Sequence, residues 1–98
     1  MKLLLTSVRM PHALGMIRCL GEAGHSIYAS DTFRSAPGLH SRYVTEAILT
    51  ASPTFETASF IETLRETIRS REIECLVPCF EEVFYIARHR EELGEPTL

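Results

Sequence analysis

Lys2-Leu3-Leu4-Leu5-Thr6 opens the stretch that decides the fold, which runs through Ser7-Val8-Arg9-Met10-Pro11-His12 and on to Ser26-Ile27-Tyr28-Ala29-Ser30-Asp31. The opening run is short and almost wholly apolar, the pattern of a strand covered on both faces of a parallel sheet. It is read as the central strand. Pro11 suits the first turn of a helix and Gly24 the position just past its end. Between them Ala13, Met16, Ile17, Leu20 and Ala23 recur at helical spacing, so a helix is expected from about Pro11 to Ala23. Ser26 to Ser30 then reads as a second strand with Asp31 at its end, completing a βαβ unit with a right-handed crossover.

Such a unit opens many nucleotide-binding domains, but the turn after its first strand carries no glycine. A dinucleotide fingerprint needs glycines there, because the backbone must turn tightly and approach a pyrophosphate without Cβ atoms in the way. Gly15 lies a turn inside the helix and is read as permitting close packing. Only Asp31, roughly 20 residues beyond the turn, matches the ribose-binding acid of that pattern. An autonomous dinucleotide or small-molecule domain of oxidoreductase or epimerase type, using Asp31, is therefore the second reading of the chain.

Downstream of Asp31, the segment 32–42 contains Pro37-Gly38 and has no sustained periodicity, as expected of a long connection. Tyr43 to Leu49 supplies a third strand beside the second, and its alternation of Val44 with Glu46 suggests an edge position. Ser52-Pro53 breaks the chain. From about Glu56 to Glu72, Phe60, Ile61, Leu64 and Ile68 form one stripe of a second helix. Its opposite face offers Glu62 to Arg65 and Glu66 to Arg69 as pairs three residues apart. Ile73 to Pro78 is the fourth strand, with Pro78 tolerable because it falls at the strand's end. A third helix is expected from Glu82 to about Leu93, its glutamates favoured by the dipole at its start and Arg88-His89-Arg90 by the dipole at its end. The fold class is thus α/β, a three-layer Rossmann-like domain over residues 1–93 with a four-stranded parallel sheet in order 3-2-1-4. Residues 94–98 read as the start of a linker.

Ninety-eight residues suit one small domain with a single core. No apolar run approaches the roughly 20 residues needed to span a bilayer, and the opening run stops at Thr6 without a cleavage site, so a soluble cytoplasmic protein is expected. A net charge of −3 argues against a nucleic-acid surface. Lys2 is the only lysine and opens the first strand, at the end opposite any phosphate-binding loop. Three cysteines is an odd count, and an extended strand would hold Cys75 and Cys79 roughly 13 Å apart, too far to pair. Reduced thiols are expected.

Several segments together resemble the amino-terminal, pre-ATP-grasp domain of ATP-grasp ligases of the carbamoyl-phosphate-synthase and biotin-carboxylase type. They are Leu3-Leu4-Leu5-Thr6 with Arg9-Met10-Pro11-His12-Ala13, Ala23-Gly24-His25 to Asp31, Ser41-Arg42-Tyr43, Ser52-Pro53, and Leu76-Val77-Pro78-Cys79-Phe80-Glu81-Glu82-Val83. The last is the most specific. The resemblance implies a non-catalytic domain that packs beside an ATP-grasp domain and helps form the cleft for a small-molecule acceptor. The fragment itself would hold no cofactor. ATP and magnesium would be bound by residues further along a full-length ligase.

Ligands of open parallel sheets sit beyond the carboxyl ends of the strands, where the strand order reverses. In order 3-2-1-4 that point lies between the first and fourth strands and brings Ser7, Arg9 and His12 towards Cys79, Glu81 and Glu82. With Asp31 these seven are the substrate-cleft candidates; no catalytic or metal-binding residue is assigned. Arg9 beside a helix start offers a site for a carboxylate or phosphate, or else pairs with Glu81. His12 is a proton carrier or, preferably, a capping and packing residue. Cys79 offers nucleophilic chemistry only if its environment favours the thiolate. Phe84, Tyr85 and Ile86, at about 100° per residue, fan too widely for all to face the sheet. At least one is expected to face outward, towards a following domain or towards a second copy in a homodimer formed through this helix.

Overall fold

The computed structural model describes residues 1–93, so the linker expected over residues 94–98 lies outside the described residues. The elements are β1 (Lys2–Thr6), α1 (Pro11–Glu22), β2 (Ser26–Asp31), a short 3-10 turn (Pro37–His40), β3 (Val44–Leu49), α2 (Thr57–Arg71), β4 (Cys75–Pro78) and α3 (Val83–Arg88). All strand pairs are parallel, in the order β3-β2-β1-β4. β1 is the central strand, with Leu3 beside both Ile27 of β2 and Cys75 of β4.

Alternation along β1 divides the core. Leu3 and Leu5 join Ala13, Ile17, Ile27 and Ala29 in the layer under α1. Leu4 joins Tyr28, Phe60, Ile61, Leu64, Ile68 and Leu76 in the layer under α2, which also takes Ile86 of α3. The two long helices thus cover opposite faces, as a sheet of apolar strands requires. Each fully buried leucine or isoleucine contributes about 1.5–3 kcal/mol from area removed from water.

The α2 stripe lies as expected, with Phe60, Ile61, Leu64 and Ile68 buried. Its outer face carries the Glu62–Arg65 and Glu66–Arg69 pairs at 3.6 and 2.5 Å, exposed contacts worth a few tenths of a kcal/mol each. β3 is an edge strand and its residues alternate between half-buried and exposed. No helix among the described residues is long and apolar enough to cross a membrane.

Two local expectations are corrected. Gly15 does not allow close packing, since a Cβ built there meets nothing within 4 Å. The close approach is at Gly21, where a Cβ would lie 2.7 Å from Cβ and Cδ1 of Tyr43. The third helix is a short α3, because no apolar residue falls between Ala87 and Leu93 to continue its buried stripe. His89 instead ends it, its amide bonding to the Tyr85 and Ile86 carbonyls. Within α3 the outward residue is Phe84, 69% exposed, whereas Ile86 is buried.

Candidate functional site

The carboxyl ends of β1, β2 and β4 bring the predicted residues together in two connected groups. In the first, the chain leaves β1 through Ser7, which takes a left-handed conformation at φ 54°, a strained choice for a residue with a Cβ. That turn lets the Val8 amide donate to the Ser30 carbonyl at 3.3 Å and aims the next amide, that of Arg9, at Asp31 Oδ2, 3.0 Å away. The Arg9 guanidinium reaches the same carboxylate, Nη1 lying 3.1 Å from Oδ1. The Phe33 amide completes the set at 3.0 Å. Asp31 has no exposed side-chain surface, while Arg9 keeps about a third of its own. Above the pair the Phe33 ring sits 5.5 Å from the guanidinium carbon, within cation–π reach.

Beneath this group Gly38 supports the turn. Its amide donates to the Val8 carbonyl at 3.2 Å, and a Cβ at position 38 would fall 2.5 Å from that of Val8. The 3-10 turn of the long connection is thereby fixed against the loop that carries Arg9.

The second group spans the point where the strand order reverses. His12, in the first turn of α1, holds the Cys79 carbonyl at 2.6 Å through Nε2. A carbonyl only accepts, so Nε2 carries a proton. Three residues further on, Glu82 is 2% exposed. Its Oε1 accepts the Phe80 amide at 2.6 Å, while Oε2 is buried with no partner. Thr6 Oγ1, at the end of β1, is likewise buried without a partner. Glu81 is exposed and contributes only its carbonyl, which accepts the Phe84 amide at 3.1 Å.

Burial pushes the Glu82 carboxyl above the ordinary carboxylate range; the Phe80 amide and the Arg9 charge oppose this and Asp31 adds to it. Burial, reinforced by the Glu82 charge, pushes the Cys79 thiol up to about 11. This is the opposite of what nucleophilic chemistry needs. His12 touches the Cys79 carbonyl rather than its sulfur, and all three cysteines are free. The Arg9–Glu81 pairing considered from the sequence is replaced by Arg9–Asp31, because the Ser7 turn directs Arg9 towards β2.

The start of α1 has little left to offer an anion. Arg9 spends its amide and guanidinium on Asp31, Pro11 has no N–H, and the Met10 and Ala13 amides bond to Ser7 and Met10. Among the described residues no cluster of three metal-ligating side chains occurs. A groove of about 620 Å³ between β3 and α2, lined by Glu46, Thr63 and Arg71 among others, contains none of the seven predicted residues.

Sequence reasoning missed the aromatic rim of this edge. Phe33, Phe55 and Phe80 are exposed, and all lie in the segments that follow the carboxyl ends of β2, β3 and β4. The available signal was a phenylalanine in each non-periodic connection, where nothing in the pattern calls for burial. Neither a known protein-family model nor a curated protein matches the chain.

Proposed function

We propose that the chain is the amino-terminal domain of an ATP-dependent carboxylate–amine or carboxylate–thiol ligase of the ATP-grasp type. In this reading it is non-catalytic. It packs beside the ATP-grasp domain and lends its carboxyl edge to the cleft for a small-molecule acceptor, while ATP and magnesium are held elsewhere in the full-length ligase. The observation that supports this most is the bond between His12 and the Cys79 carbonyl, 67 positions apart. It joins the two segments, Arg9 to Ala13 and Leu76 to Val83, on which the resemblance chiefly rests. The second reading, a dinucleotide domain using Asp31, fits less well. Both carboxylate oxygens of Asp31 already accept protein donors inside an enclosed site, and a ribose hydroxyl would have to displace them.

Titration calorimetry of this chain with magnesium-ATP and with NAD(P) separates the readings. The ligase-domain reading expects no tight binding of either. Tight NAD(P) binding would establish the second reading, and a micromolar dissociation constant for ATP would show that the ATP site has been assigned to the wrong part of the protein. A gene whose full reading frame carries a lysine-bearing ATP-grasp pattern would support the first independently.

A further inference from the structure

Glu82 is a buried acid of the carboxyl edge with one oxygen bonded and the other, Oε2, without a partner. Its side chain closes the β4–α3 turn by accepting the Phe80 amide, and its own carbonyl accepts the Ile86 amide at 3.0 Å, which starts α3. Glu82 thus fixes the turn through its carboxyl and the beginning of the helix through its backbone carbonyl. The charged and titratable groups acting on it are Arg9 from the β1–α1 loop, Asp31 from the end of β2, and Cys79 from its own loop. Arg9 is the one positive charge among them, and it is bonded to Asp31 by backbone and side chain. It is not available as a full counter-ion. A carboxylate enclosed with one hydrogen bond and an unpaired oxygen is unfavourable, whereas the neutral acid loses far less on leaving water.

We propose that Glu82 is a proton-linked latch: as the neutral acid it holds the β4–α3 turn shut at the carboxyl edge, and loss of its proton to solvent releases that turn. The geometry favours release at this place. α3 has only six residues, its Phe80 and Phe84 flanks are already at the surface, and Ile86 is its one buried side chain. Opening the turn lets Oε1 and Oε2 reach water and frees the Cys79 carbonyl from His12, so the latch acts on the loop nearest the strand-order reversal. The sign follows from linkage. A carboxyl whose folded-state pKa is raised contributes least penalty below its unfolded value, and stability is lost as pH rises through the folded value.

The test is a pH titration of the ¹³C-labelled Glu82 carboxyl by NMR, with hydrogen exchange at the Phe80 amide followed over the same range and corrected for its intrinsic pH dependence. Parent and Glu82→Gln are compared. The glutamine keeps an acceptor for the Phe80 amide and cannot ionise. The expected result is a Glu82 midpoint above the ordinary carboxylate range, with Phe80 protection falling through that midpoint in the parent and staying level in the variant. A midpoint in the ordinary range, protection that does not follow the midpoint, or the same loss of protection in the variant would overturn the latch. Should the variant not fold, the parent's titration and exchange decide the question alone.

Discussion

Asp31 and Arg9 differ in what each leaves behind when removed. Asp31→Ala strips three donors of their acceptor in an enclosed site, two of them backbone amides. It is expected to cost about 3 kcal/mol by urea unfolding. Arg9→Met leaves the buried carboxylate both of its backbone donors and removes a guanidinium that is itself about a third exposed, and should cost about 1–2 kcal/mol. A larger loss for Arg9→Met than for Asp31→Ala would show that the guanidinium, not the amide pair, holds Asp31. At the cysteines the expectation is kinetic. Cys19 is exposed, whereas Cys79 is buried with its thiol pushed up to about 11. Alkylation at pH 8, followed by peptide mass spectrometry, should label Cys19 readily and Cys79 only as the chain unfolds; equally fast labelling would contradict the buried setting. The sequence showed which of these residues would gather but not how they pair. From the sequence only Glu81 stood out as a partner for Arg9, and that Asp31 takes its place turns on the left-handed Ser7, a conformation no serine announces.

Two glycines in α1 provide a test at the level of the element. Gly15→Ala adds a Cβ into open space in a helix interior and should stabilise by about 0.5–1 kcal/mol. Gly21→Ala gains the same helix propensity but meets Tyr43 Cβ and ring atoms at 2.7–2.8 Å. Because a Cβ moves only with its backbone, the segment leading into β3 at Tyr43 must shift, and a net loss of about 1–2 kcal/mol is expected. Thermal unfolding of the two variants should therefore move in opposite directions. Helix and strand positions were legible because their apolar periods are distinct, as the α2 stripe and the alternation in β1 show. What was not legible was which of two small helix residues faces a neighbour, since both fit the same pattern until Tyr43 is placed. The length of α3 was overestimated for a related reason. Leu93 is buried at the helical spacing from Ile86, but the chain reaches it through turns rather than a continued helix.

On the scale of the whole molecule, the strand order and the division of the core followed from the sequence with few alternatives. Four apolar strands separated by connections long enough to cross a face leave mainly the question of which strand is central, and Leu3-Leu4-Leu5, apolar on both faces, answers it. The site was less legible, because ligand chemistry at a carboxyl edge depends on which donors remain free once the loops have bonded to one another. Central placement of β1 also governs the order of events during synthesis. β1 leaves the ribosome before the other three strands, yet one of its two edges has no partner until Cys75 to Pro78 emerge and pair with Leu3 to Thr6. Until then β1, β2 and β3 form a sheet whose most apolar strand is a bare margin, open to pairing with another nascent chain. Cooperative folding has to wait for this distant closure, which slows the search in proportion to its reliance on non-local contacts. A chain ended before Cys75 is accordingly expected to show no cooperative thermal transition and to aggregate, whereas one ended after Leu93 should melt as a single unit.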